Sequence, residues 1–181
     1  NPGKRKNGQL PAYFYLKNEN FQRISIINNG TIHFGDKIYV KEVTNNNRMY
    51  VNSSTFTGNI SNKNTFNSSD SKIIGAYNNI SNKTGRFNTE NTYGTIKNTD
   101  ITGLVKNSAI LNVENVKIYK KNKFNVETAQ TSVYDYSDIG ITNSGNLTVN
   151  SGLNIIGHYL GIKNSGTIDF NDKVNISDCN T

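Results

Sequence analysis

The chain has 181 residues, a formal net charge of +7, two prolines, one cysteine and no tryptophan. One cysteine cannot close an internal disulfide, no zinc site can be built from Cys179 with only His33 and His158 beside it, and no apolar run reaches the length of a membrane span. Asn is the most frequent residue, Ala and Leu are scarce, and Ile, Val, Thr, Tyr and Phe are plentiful, which excludes a helical protein and predicts short strands joined by Asn, Gly, Ser and Asp turns.

The apolar residues alternate, as in Ile24-Ser25-Ile26 and Thr31-Ile32-His33-Phe34. This is the pattern of half-buried strands and argues against disorder. The positive charge is spread along the chain. It reads as solvated lysine that discourages edge-to-edge pairing, with attraction to anionic glycans, membranes or nucleic acid as the alternative.

Residues 1–23 begin with a basic, turn-rich stretch and form a lead-in, a cap or an incoming loop. Tyr13, Phe14 and Tyr15 in a row give a strand, or an aromatic patch for sugar stacking. No signal peptide is visible, so a mature form or an excised piece is expected. Residues 24–181 are repetitive. Residues 28–38 can be laid on residues 164–174 with most positions identical, and residues 41–50 break the pattern with a turn or small excursion. Asn59-Ile60-Ser61-Asn62-Lys63 recurs as Asn79-Ile80-Ser81-Asn82-Lys83, Phe66 recurs as Phe87, and Ile73 and Ile80 match Ile155 and Ile162. Leu111-Asn112-Val113 matches Leu147-Thr148-Val149, which in turn matches Ile168-Asp169-Phe170.

A unit of about 20–22 residues cannot bury its apolar face alone and must stack on its neighbours. The spacing predicts an all-β fold, a parallel β-solenoid of three short strands per coil. Asn28, Asn143 and Asn164 would stack as a ladder, and Gly30, Gly145 and Gly166 would take left-handed turns. Leucine-rich repeats are excluded by the missing Leu framework. A β-sandwich would lack the long-range register and is the runner-up.

The recurrent Asn-Ser-Gly-x-Leu/Ile of residues 143–147 and 164–168 resembles the passenger domains of bacterial type V autotransporters, in the style of the very large surface adhesins of fusobacteria. The resemblance implies a right-handed parallel β-helix at the bacterial cell surface, tethered through a larger parent protein. It also implies adhesion to a host-cell surface protein or glycan.

Residues 119–137 are the longest departure from the repeat and predict an extra loop or small hairpin. Tyr119, Lys120, Lys121, Phe124, Tyr134 and Tyr136 are the candidate partner-binding residues, with aromatic faces for stacking and cations for steering. The rival is a loop that only covers an apolar side. Asp135, Asp138, Asp169 and Asp172 are the best acidic set for a polysaccharide-acting enzyme, but the expectation is no catalysis, no metal and no cofactor. Lys117, Lys120, Lys121 and Lys123 with Tyr119 and Phe124 are the only nucleic-acid candidate, and nucleic acid is not expected as a partner. A phage-type fibre and a passive stalk are further alternatives. A monomer within a larger chain, with no membrane insertion of its own, completes the expectation.

Overall fold

The computed structural model describes residues 13–81, 92–120 and 138–179, and among these it is all-β. The strands are β1 (Tyr13–Asn28), β2 (Thr31–Asn45), β3 (Arg48–Asn62), β4 (Thr65–Ser69), β5 (Lys72–Ile74), β6 (Tyr77–Asn79), β7 (Tyr93–Thr102), β8 (Val105–Asn107), β9 (Ile110–Tyr119), β10 (Ile139–Asn143), β11 (Asn146–Ile156), β12 (Leu160–Asn164), β13 (Thr167–Phe170) and β14 (Val174–Ser177). Strand pairing already begins at Tyr13, inside the segment read as a lead-in.

Every pairing among the described residues is parallel. The long strands are composite. β3 pairs with β4 through Arg48–Asn52, with β5 through Thr55–Thr57 and with β6 through Ile60–Asn62. It bends between these parts at Ser53 (φ 48°) and Gly58 (φ 148°). Each pass of the chain therefore has three extended segments, each registered on the pass before.

Registration stacks like on like. Ile38, Phe56, Ile73, Ile101, Ile118 and Ile155 form one inward column. Val43, Ile60, Tyr77, Val105 and Ile141 form a second. All of these side chains are buried. Period-two alternation sends the intervening residues outward, which is why apolar and polar residues alternate in the sequence. Parallel strands about 4.8 Å apart bring each inward side chain against its counterpart above and below.

The register corrects the expected period. Successive passes are offset by 17 residues from β3 to β4 and from β7 to β9, and from β2 to β3 except over Asp36–Tyr39, where the offset is 18. The offset rises to 28 from β4 to β7, to 36 at Ile110↔Asn146 and to 21 from β11 to β13. The basic step is thus 17, and the 20–22 spacing belongs to the last pass. The Asn59–Asn79 sequence match is out of register by three, because the structure pairs Asn62 with Asn79. Tyr77, not Ile80, stands in the column of Ile162. Asn46 and Asn47 form a tight corner between β2 and β3, so no excursion interrupts the chain there.

Two kinds of left-handed corner recur. Asp36, Ser53, Asp70, Asn98, Asn115 and Gly152 have positive φ between the first and second segments, and Gly58, Gly75, Gly103, Gly157 and Asp178 between the second and third. Gly30, Gly145 and Gly166 are not among them, contrary to the sequence expectation. At those corners the preceding Asn closes the turn instead, with Gly30 N–H donating to Asn28 Oδ1 (3.1 Å) and Gly166 N–H to Asn164 Oδ1 (3.1 Å). Gly145 and Gly166 answer to close approach as well, since a Cβ would run into the Ala109 backbone at the first and the Gly145 backbone at the second.

Candidate functional site

The third corner carries a ladder of seven asparagines. Asn28, Asn45, Asn62, Asn79, Asn107, Asn143 and Asn164 each pass an amide N–H to the Oδ1 of the next, at 2.7, 2.7, 2.9, 2.9, 2.7 and 2.8 Å. Each of the first six also donates to a main-chain carbonyl at the start of the pass that follows the next ladder residue, as Asn107 Nδ2 does to Asn146 O (3.1 Å). The ladder therefore fixes the start of each first segment and leaves no buried amide unpaired. The three asparagines read from the sequence belong to it, and four more join them.

Tyr77 ties the ladder to the core. Its hydroxyl lies 3.3 Å from Asn79 Oδ1, and its ring packs on Phe66 with centroids 4.7 Å apart. Gly94, inward between Phe66 and Leu111, leaves room for that ring, because a Cβ there would meet the Tyr77 hydroxyl. Burial pushes the Tyr77 phenol far above its ordinary value, and the hydrogen bond from Asn62 opposes this only in part.

Of the six predicted partner-binding residues, Lys121, Phe124, Tyr134 and Tyr136 lie outside the described residues. Tyr119 faces outward on β9, beside Thr102 and Ile156. Lys120 follows it, and its Nζ is 2.8 Å from Asp138 Oδ2. Asp138 Oδ1 is 2.9 Å from His158 Nδ1. Residues 120 and 138 flank segment 121–137 in sequence, so this three-residue network joins the residues on either side of it and ties them to the corner between β11 and β12. His158 is buried, and its Nε2 has no hydrogen-bond partner among the described residues. Burial alone would raise the Asp138 carboxyl, but the hydrogen bonds and charges of Lys120 and His158 outweigh it and hold the group below its ordinary value.

The candidate acidic set is not brought together. Asp138 is committed to Lys120 and His158, Asp169 lies outward on β13, and Asp172 sits at another corner, its Oδ2 accepting the Gly152 N–H at 3.1 Å. Asp135 lies outside the described residues. On the outward side of the first segment, Tyr15 pairs with His33 and His33 with Tyr50. His33 and Tyr50 stack with centroids 4.4 Å apart. The shared ring faces are spent on each other, which weakens the reading of this stripe as a sugar-stacking platform.

The remaining polar surface of note is the outward side of β6, β8, β10 and β12. Asn78, Lys106, Thr142 and Lys163 form its column by register. A groove of about 310 Å³ opens there between Asn78, Ile80, Lys106, Ser108, Thr142 and Ser144. Sequence reasoning did not single this face out. Its residues are ordinary in type, and only the register, with its 28- and 36-residue steps, aligns them.

Comparison of the chain with protein-family models, with curated proteins and with solved structures gives no match.

Proposed function

We propose that the chain is a stretch of right-handed parallel β-helix from a bacterial surface adhesin, working as a recognition module without catalysis. The exclusively parallel, stepwise register and the Asn ladder support the β-helix. The adhesin reading, with its place at the cell surface and its tether to a larger parent, comes from the sequence resemblance.

One observation carries the recognition role. The two large additions to the 17-residue step stand next in sequence to strands of the same outer face. Residues 82–91 leave the repeat after β6, and residues 121–137 leave it before β10. Additions that leave the register of the following pass intact cost the stack little, and such segments are where binding residues concentrate.

The test is binding of the folded chain to a glycan array and a panel of host surface proteins, beside a variant with residues 121–137 replaced by a short turn. The expected result is a defined ligand lost in the variant. Binding by neither form would favour the second reading, a passive stalk, which the regularity of the Asn ladder and aliphatic columns also suits.

A further inference from the structure

The outer face of β6, β8, β10 and β12 carries two exposed lysines in one column with no carboxylate between them. Lys17, Lys97 and Lys120 are each held by a carboxylate, at 2.9, 2.8 and 2.8 Å from Asp36, Glu114 and Asp138. Lys106 and Lys163 are exposed and make no ion pair among the described residues. None of the four strands contains an Asp or Glu. Register places Thr142 between the two lysines, which sets them two strand spacings apart, about 10 Å.

Beside this column runs a second one of exposed hydroxyls. Ser108, Ser144 and Ser165 each follow a ladder asparagine, with Oγ 3.3, 3.4 and 3.4 Å from the main-chain carbonyl of the ladder residue one pass earlier. A hydroxyl that donates to the main chain keeps its lone pairs for an incoming donor, although Ser108 Oγ already accepts the Ser81 N–H at 3.0 Å. The groove at the β6 end adds the Asn78 side chain.

We infer that this face binds a linear anionic polysaccharide laid along the stacking direction. Its carboxylate or sulfate groups would be held by Lys106 and Lys163, and its hydroxyls by Ser108, Thr142 and Ser144. The inference rests on the recognition-module reading and names its ligand class. A repeating polymer suits a site that repeats with the strand spacing. The unpaired cations select negative charge, and the hydroxyls and the amide match sugar hydroxyls. Single-stranded nucleic acid fits less well, because base stacking needs aromatic platforms and the column Asn78, Lys106, Thr142 and Lys163 has none.

The experiment measures binding of the purified chain to heparin, polygalacturonate, dextran and poly(dT) at low and raised salt. Heparin or polygalacturonate should bind, weaken with salt and exceed dextran and poly(dT). The double variant Lys106→Gln/Lys163→Gln should lose about tenfold in affinity. The control Lys72→Gln/Lys117→Gln removes the same charge from another face, where Asp100 stands between the two lysines, and should bind as the parent does. Circular dichroism of both variants verifies the fold. Equal losses in the two doubles would reduce the effect to net charge and overturn the inference. Stronger binding of poly(dT) through the same lysines would overturn it in favour of nucleic acid. Binding of a neutral glycan or a protein on the array, with no polyanion bound, would also overturn it while leaving the recognition role standing.

Discussion

The middle passes and the last pass use the same inward columns with opposite results. Val149 is fully buried and its counterpart one pass later, Phe170, is 52 % exposed; Ile155 is fully buried and Ile176 is 44 % exposed. The residue types are equivalent and the backbone register is unbroken. What changes is whether a pass lies on both sides. In this architecture burial is not a property of the residue or of its strand. It is conferred by neighbours, and stability is close to a sum of local terms and nearest-neighbour interfaces. The Asn ladder obeys the same rule. Asn143 Nδ2 donates to Asn164 Oδ1 and to Thr167 O, whereas Asn164 Nδ2 donates to Gly166 O within its own corner.

Substitution pairs across this divide test it. The largest expected effect is Phe66→Ala, which empties a fully buried site between Met49 and the Tyr77 ring and should cost about 3–5 kcal/mol. Phe170→Ala, at the exposed end, should cost under about 1 kcal/mol. Urea unfolding of the two variants checks the ratio; equal costs would break the neighbour rule. Next comes Asn107→Ala, which removes a hydrogen-bond partner from Asn143 Oδ1, Asn79 Nδ2 and the Asn146 carbonyl at once. It should cost about 2–3 kcal/mol, against about 1 kcal/mol or less for Asn164→Ala. Amide exchange resolves where the loss falls. In Asn107→Ala it should centre on β8, β9 and β11 rather than spread evenly.

The all-β character was legible because each physical requirement leaves a mark on composition. Inward positions must be apolar and outward ones are free, so alternation shows along β2, β3 and β11. A stacked amide must recur at every pass, so Asn28, Asn143 and Asn164 stand out. The step length was harder to read. It is not constant, and the Asn-rich corners resemble one another at several offsets, so the repeat of Asn59–Lys63 at residue 79 appeared in register while the pairing runs through Asn62. Tyr77 and Gly94 could not be matched from sequence either, since their contact joins different columns of adjacent passes. Of the candidate site, the described part is Tyr119 and Lys120. The outer face with Lys106 and Lys163 was hidden because the 28- and 36-residue steps separate residues that share a column.

His158, in the pass before the last, is the exception at the edge of the third segment. It is buried at the corner between β11 and β12, although β12 pairs only with β10 among the described residues, because Asp138 and the Gly140 backbone enclose it. The exception can be probed through Asp138, whose carboxyl is held below its unfolded value by Lys120 and His158 against the opposing effect of burial. A carboxyl with a depressed folded pKa contributes stability that is fully present above the unfolded value of about 3.9 and disappears as pH falls through the lower folded value. The stability difference between the parent chain and Asp138→Asn should therefore be constant near neutral pH and shrink at the acid limb, the smallest of the three effects. Denaturant midpoints of both proteins between neutral pH and the acid limb would show it. A difference that persists undiminished in acid would mean that Asp138 holds the corner by shape and neutral hydrogen bonding rather than by charge. The burial of His158 would then follow from packing alone.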